Sequence, residues 1–433
     1  MTPSLPGDIA VLARQGKQAQ AIEAATAALA AAALGQAGRI ALLDQRAEAL
    51  IAEGRFSDAA LDAEAMLALA GDTPALKIRA LMRHAVVLMR LSQNKRALGV
   101  AEQALALAEA GRDPATVASS VLCLAEAQLR AAAHDEALAS ALRAATLFEA
   151  LQDTAGQGRA HWLTAFAYTR LSRNDASRRA ALQAVALARQ AGDAYGLANA
   201  LNVLSFSCSD IAERLDVLQQ AATAFERAGY VYGRMMVLGN LSLTFAELGL
   251  WRHACRLGGL CIDLAEGSGA RLNLALEWGA VLKWQLDLGD TAGVRARWSR
   301  YDVLVESLDE PVTRADRELW AAELAAAEGD TAGALKRLRA FLRQVRAHNP
   351  GFELYVQIPL ARLLLQRGDA AGALRCATWL FSSRPAFMLH SVTPPSNATN
   401  TSPAAMAMPS PPGFCWVTRG KTLRVARSII SAP

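Results

Sequence analysis

Apolar residues return every three to four positions along most of this chain, and the runs are broken at nearly equal intervals. After Gly329, Leu335, Leu338, Phe341, Leu342 and Val345 form one stripe, while Lys336, Arg339, Arg343 and Arg346 fall on another face. Such spacing predicts a helix with one side packed and one side in water. The turn in front of it, "GDTAG" at 329, is also written "GDTAG" at 289 and "GDAAG" at 368, 40 residues before and 39 after. A period of that size predicts architecture before chemistry.

The turn has a physical logic. Its Gly can take the left-handed conformation that ends a helix, and its Asp can accept hydrogen bonds from the first free N–H groups of the next. Five places after the Gly stands a small residue, which lets the two helices close. Used as a marker, this residue recurs at Ala21, Ala59, Ala97, Ala137, Ser177, Ala254, Val294, Ala334 and Ala373. The steps are 38 to 40 residues except for one of 77, which predicts two units there, one of them degenerate and centred near Asp216. About ten helical hairpins would then cover residues 1–381.

"EGRFSDAALDAEAMLALA" at 53–70 and "GNLSLTFAELGLWRHACRLGGLCIDLAE" at 239–266 resemble tetratricopeptide repeats (TPRs). The likeness lies in the turn Gly, the Ala five later, and a further position seven beyond, here Met66 and Cys261 where the family usually has Ala. The period is longer than the roughly 34 residues of that family, as in the sensor regions of large bacterial regulators. The resemblance implies an all-α, right-handed superhelical solenoid of antiparallel hairpins with a concave groove for a peptide or protein. Groove-lining positions carried over from the family are Arg159, Trp162 and Phe166, counted back from Ser172; Lys283, counted back from Gly289; and Glu323, counted back from Gly329. Asn202 and Asn240 fall at matching places nine before their turns, where hydrogen bonding between units is expected.

Composition sharpens this picture. Aromatics are only 6% of the chain, so Ala and Leu must fill the core, and both favour helix. The net charge of +5 is matched by five basic residues in 382–433, which hold no acid, so residues 1–381 are formally neutral. A broad nucleic-acid surface is therefore not expected. The six Cys form no CxxC pair and the first residues lack an apolar signal core, which points to thiols in a reducing cytoplasm. From residue 382 on, Pro, Ser and Thr dominate and predict a disordered tail, either a native linker or the product of a lost reading frame.

Catalytic or cofactor signatures are weak. "RGKT" at 419–422 ends like a phosphate-binding loop, but its first Gly is replaced by Cys415. His253 and Cys255 lie two apart on a helix and point away from each other, with Cys261 nearby and no fourth ligand. No metal, cofactor or covalent chemistry is expected. The expected function is a non-catalytic scaffold binding a peptide or protein partner. The alternative is the sensory part of a bacterial signalling protein, such as a diguanylate cyclase or LuxR-type regulator, whose output domain is missing from this chain.

Overall fold

A computed structural model describes residues 6–31, 34–266, 271–308, 311–348 and 353–382. The predicted tail from residue 383 onward lies outside the described residues. The described residues hold twenty helices and no strand, and the helices pair in chain order into ten hairpins. They form two compact units that divide between Leu274 and Ala275.

The first unit holds seven hairpins. They are α1 (Pro6–Arg14) with α2 (Gln18–Ala31), α3 (Gln36–Ala52) with α4 (Phe56–Ala70), α5 (Pro74–Arg90) with α6 (Asn94–Gly111), and α7 (Pro114–Arg130) with α8 (His134–Ala150). Then follow α9 (Thr154–Arg170) with α10 (Asn174–Ala191), α11 (Ala194–Ser205) with α12 (Ile211–Arg227), and α13 (Val231–Glu247) with α14 (Trp251–Glu266). The second unit opens with α15 (Arg271–Asp287), whose first turn belongs to the first unit, paired with α16 (Thr291–Glu306). It continues with α17 (Pro311–Ala327) and α18 (Thr331–His348), then α19 (Glu353–Gln366) and α20 (Ala370–Ser382).

The marker residue is in each case the fourth of the hairpin's second helix. Ala21, Ala59, Ala97, Ala137, Ala254, Val294 and Ala334 are completely covered, and Ser177 and Ala373 almost so. Any larger side chain would hold the pair apart. The sixth hairpin is the degenerate one. Its α11 stops early at Ser205, Asp210 caps α12 by accepting from the Ala212 N–H, and Arg214 stands where the small residue belongs. Arg214 instead reaches Glu247 of α13 at 2.8 Å.

One hydrogen-bond pattern closes the turns. The N–H of Asp290 donates to the Gln285 carbonyl, that of Asp330 to Ala325 and that of Asp369 to Leu364, each across five residues. Gln93 to Leu88, Ala133 to Gln128 and Arg173 to Tyr168 repeat it in the first unit. This is the six-residue helix ending that needs a left-handed residue. In the second unit Gly289, Gly329 and Gly368 supply it, with φ of 78°, 93° and 84°. In the first unit Ser92, Ala132 and Ser172 are driven to φ of 61°, 65° and 60° without glycine. The second Gly of "GDTAG" has its own task. Asp290, Asp330 and Asp369 accept from the N–H of Gly293, Gly333 and Gly372, and a Cβ there would collide with the capping carboxylate.

Within the first unit the chain meets itself. The turn between α1 and α2 touches the turn between α12 and α13, so six hairpins complete a circuit. Gln18 is buried there and its Nε2 donates to the carbonyls of Ala13 and Ala228, both at 3.0 Å, the second 210 residues away. Gly16 and Gly229 both have positive φ, and their backbones are in contact. A Cβ on Gly16 would stand 2.6 Å from the Arg227 oxygen. Beside this seam, Phe56 of α4 meets Tyr232 of α13 edge to face at 5.1 Å.

Candidate functional site

Because the first unit closes on itself, helices far apart in sequence converge on one space. The pocket holds about 730 Å³ of empty space, part of it open to solvent, and is bordered by residues from α3, α5, α7, α9, α11, α12 and α13. Trp162, Phe166, Tyr195, Tyr230 and Tyr232 give it aromatic walls. Trp162 and Tyr230 both stack on Tyr195, edge-on at 6.4 Å and tilted at 4.3 Å. Burial raises the pKa of the Tyr195 and Tyr230 phenols, which keeps them neutral hydrogen-bonding groups at physiological pH.

The charged groups of this face are tied across neighbouring hairpins. Asp44 of α3 accepts from Arg83 at 2.6 Å and Arg79 at 2.8 Å, both on α5. Glu126 of α7 accepts from Arg90 of α5 at 2.9 Å and lies 3.5 Å from Arg130 one turn on. Burial alone would push both carboxyls up; Arg83 with Arg79, and Arg90 with Arg130, outweigh it and hold both below the usual carboxylate range. Removing one partner of such a pair would leave a charge stranded away from water.

The sequence-predicted groove residues fall in two places. Arg159, Trp162 and Phe166 come together in the first unit: Trp162 and Phe166 line the pocket, and Arg159 lies over the Tyr195 ring at 5.9 Å. Arg159 is also paired with Asp193 at 2.8 Å, and Asp193 at the same time caps α11. Lys283 and Glu323 meet each other in the second unit at 3.1 Å, with Asp287 as the second partner of Lys283. Lys283 lies over Trp320 at 5.7 Å. Asn240 donates to Asn202 at 2.8 Å, joining the sixth and seventh hairpins as the matching positions predict.

The second unit holds a buried carboxyl with no cation beside it. Glu277 is buried with no partner for its Oε2, and burial pushes its carboxyl up to about 8. Tyr301 Oη and Trp320 Nε1 are likewise buried without partners, both near Gly279. Among the described residues no group of three or more His, Cys, Asp or Glu could hold a metal ion. No described helix is long and apolar enough to cross a membrane.

Arg90, Glu126, Arg130, Tyr195 and Tyr230 were not reached by counting back from the turns with recognised motifs. Ala132 occupies the left-handed position without a Gly, and counting six back from it gives Glu126. An Arg also stands two residues before Ser92, Ala132 and Ser172, as Arg90, Arg130 and Arg170. That recurrence was the available signal.

Neither a family profile nor a curated protein matches this sequence. Solved structures do match in fold. The apo quorum sensor NprR from B. thuringiensis aligns with a TM-score of 0.57 at 13% identity, over 78% of this chain and 97% of its own. The fold is TPR-like. A Rap protein complexed with Competence and Sporulation Factor aligns at 0.53 and 15% identity, over 83% of this chain and 98% of its own. A signal transduction ATPase with a tetratricopeptide repeat sensor from Pyrococcus horikoshii aligns at 0.54 and 13% identity, over 76% of this chain and 54% of its own. These likenesses concern the helical-repeat scaffold.

Proposed function

We propose that this chain is a non-catalytic interaction scaffold, and that the inner face of its first unit receives a segment of a peptide or protein partner. The observation that carries the reading is the convergence of seven helices, α3, α5, α7, α9, α11, α12 and α13, on one aromatic-walled pocket. Aromatic side chains offer large contact area at low entropic cost, and sites of this kind supply most of the energy where chains bind. That a similar structure holds a Rap protein with Competence and Sporulation Factor, and another is a quorum sensor, agrees with a binding role. The cytoplasm is the proposed compartment, supported by the buried thiols of Cys123, Cys208 and Cys376.

A second reading, the sensory part of a larger signalling protein, draws support from the ATPase with its tetratricopeptide repeat sensor, of which this chain covers 54%. Both readings use the same inner face. Affinity capture on the full chain, repeated with Phe166→Ala and with Lys336→Ala on the solvent-exposed side of α18, tests the placement. The partner should be lost with the first variant and kept with the second. Capture unchanged by Phe166→Ala would move the site off this face.

A further inference from the structure

The charges of this protein are not mixed evenly over its helices. In the first unit the second helices of the hairpins, the even-numbered α2 to α14, hold ten basic and fifteen acidic residues. In the second unit α16, α18 and α20 hold nine basic residues, eight of them Arg, and two acidic ones. The formal neutrality of residues 1–381 is thus a sum over opposite regions, and the field of one face survives it. That face is the outer side of the second unit. The first helices α15, α17 and α19 share a space bordered by Leu286, Glu323 and Arg362, and none of the residues around it belongs to α16, α18 or α20.

The extreme case is α18. Lys336, Arg337, Arg339 and Arg343 are all exposed and form no ion pair among the described residues; on this helix only Arg346 has a carboxylate, Glu353 at 2.6 Å. Outer arginines elsewhere are bridged to a neighbouring hairpin, as Arg143 is to Glu109 at 2.7 Å and Arg178 to Glu213 at 2.6 Å. Along α18, Lys336 with Arg339, Arg339 with Arg343 and Arg343 with Arg346 stand three or four residues apart, so like charges repel turn after turn. An anion laid on them would relieve that repulsion. The patch continues onto α20: burial raises the pKa of the Cys376 thiol, and Arg375, Arg346 and Arg339 oppose the rise, which gathers cations of both helices around one spot.

What this face lacks narrows what it can hold. Leu335, Leu338, Leu342 and Val345 of α18 are turned into the core, which leaves Ala340, Gln344 and Ala347 exposed between its cations. Val303 of α16 and Leu374 of α20 are exposed, but they stand singly. A bilayer needs an apolar face to enter it, and a protein partner needs large anchors at the centre of its contact. Single-stranded nucleic acid needs open rings to stack on, whereas Trp298 and Phe341 are half-buried. A regular array of phosphates needs none of these. It is held by guanidinium groups spread over a rigid surface, each able to grip a phosphate with two N–H groups.

We propose that the outer side of the second unit, centred on α18, is a contact surface for the phosphate backbone of duplex nucleic acid, recognised by charge and not by base sequence. Lys336, Arg337, Arg339 and Arg343 form the centre of the contact, and Arg375 extends it. The surface uses no residue of the aromatic pocket, so it goes beyond the scaffold reading and stands or falls separately from it.

Fluorescence anisotropy of a short labelled duplex of mixed sequence, titrated with the full chain, tests this. Two unrelated sequences should bind alike, and with about four phosphates engaged the affinity should fall about a hundredfold between 50 and 200 mM salt. Arg339→Glu with Arg343→Glu should weaken binding about tenfold or more. Folding is not at risk in that variant, because both side chains are exposed and their reversal removes repulsion along α18. Arg419→Glu with Arg424→Glu, the same change of net charge placed outside the described residues, should have little effect. Phe166→Ala should have none, even if it abolishes partner capture. Equal loss in the two double variants, or no loss in the first, overturns the assignment to this face. Tighter binding of polyglutamate, or of vesicles containing phosphatidylserine, than of the duplex overturns the assignment to nucleic acid.

Discussion

Glu126 in the first unit and Glu277 in the second are both withdrawn from water, and they titrate in opposite directions. Glu126 lies against Arg90 and Arg130, which more than offset the burial that would raise its pKa. Glu277 has burial and no cation, and its carboxyl rises to about 8. The same residue type on the first helix of a hairpin is thus held ionised in one unit and protonated near neutrality in the other. The cations within reach decide which: at Glu126 one comes from the neighbouring hairpin, Arg90, and one from the next turn of its own helix, Arg130. In the first unit Arg residues bridge successive hairpins; at Glu277 no described residue does.

This difference gives the two units opposite pH responses. A carboxyl raised in the folded state stabilises least at high pH: below its unfolded value, near 4.5, both states are protonated, and stability falls as pH climbs toward 8. The second unit should lose about 3–5 kcal/mol over that window, at ~1.4 kcal/mol per pH unit. Glu277→Gln should remove most of that slope. Hydrogen exchange followed by mass spectrometry at pH 5 and pH 8 would show it as restored protection in α15 to α17, and an unchanged slope would place the proton elsewhere. The first unit goes the other way. Asp44 and Glu126 are lowered, so their stabilisation is full above their unfolded values and is lost as pH falls through the lower folded ones.

The seam belongs to the first unit alone among the described residues and can be opened from one side. Gly229 sits at φ 67° with its Cα against the Gly16 backbone. Gly229→Val adds a branched side chain where neither the conformation nor the space admits one, and should cost about 3 kcal/mol. Exchange should quicken at both contact points, around Gln18 and around Tyr232, though they are far apart in sequence. Faster exchange at Tyr232 alone would mean that the two ends do not support each other.

The smallest effect concerns the turns. The second unit has glycine at each of these left-handed residues, whereas the first has it at Gly16, Gly54 and Gly249 and forces Ser92, Ala132 and Ser172 into the conformation. Gly329→Ala should destabilise by about 1 kcal/mol, since a Cβ is disfavoured there. Ser172→Gly should do the reverse, by ~0.5 kcal/mol after the added freedom of the unfolded chain is subtracted. Thermal denaturation of the two variants gives both signs. If Ser172→Gly is also destabilising, the serine contributes something beyond the turn conformation.

These outcomes bear on how much of the molecule its residues declare in order. Helix, turn and repeat period were legible because each depends on residues within a few positions. The stripe after Gly329, the Asp caps and the small marker residue all took the predicted places, down to the buried Ser177. Part of the candidate pocket was legible as well: Trp162 and Phe166, counted from Ser172, border it. Arg159 sits beside them but is engaged with Asp193. Lys283 and Glu323 are paired with each other, a contact that counting within one hairpin does not reveal.

What the sequence by itself determined is the hairpin: where a helix ends, where the next begins, and which small side chain lets them close. Those are local preferences and steric limits, set within one or two turns of helix. Only the tertiary structure decided that the first six hairpins come round until Gly16 meets Gly229, and so which aromatics share a pocket and which carboxylates gain an arginine. A slight rotation between neighbours, accumulated over 210 residues, sets that closure. No single stretch of residues encodes that sum.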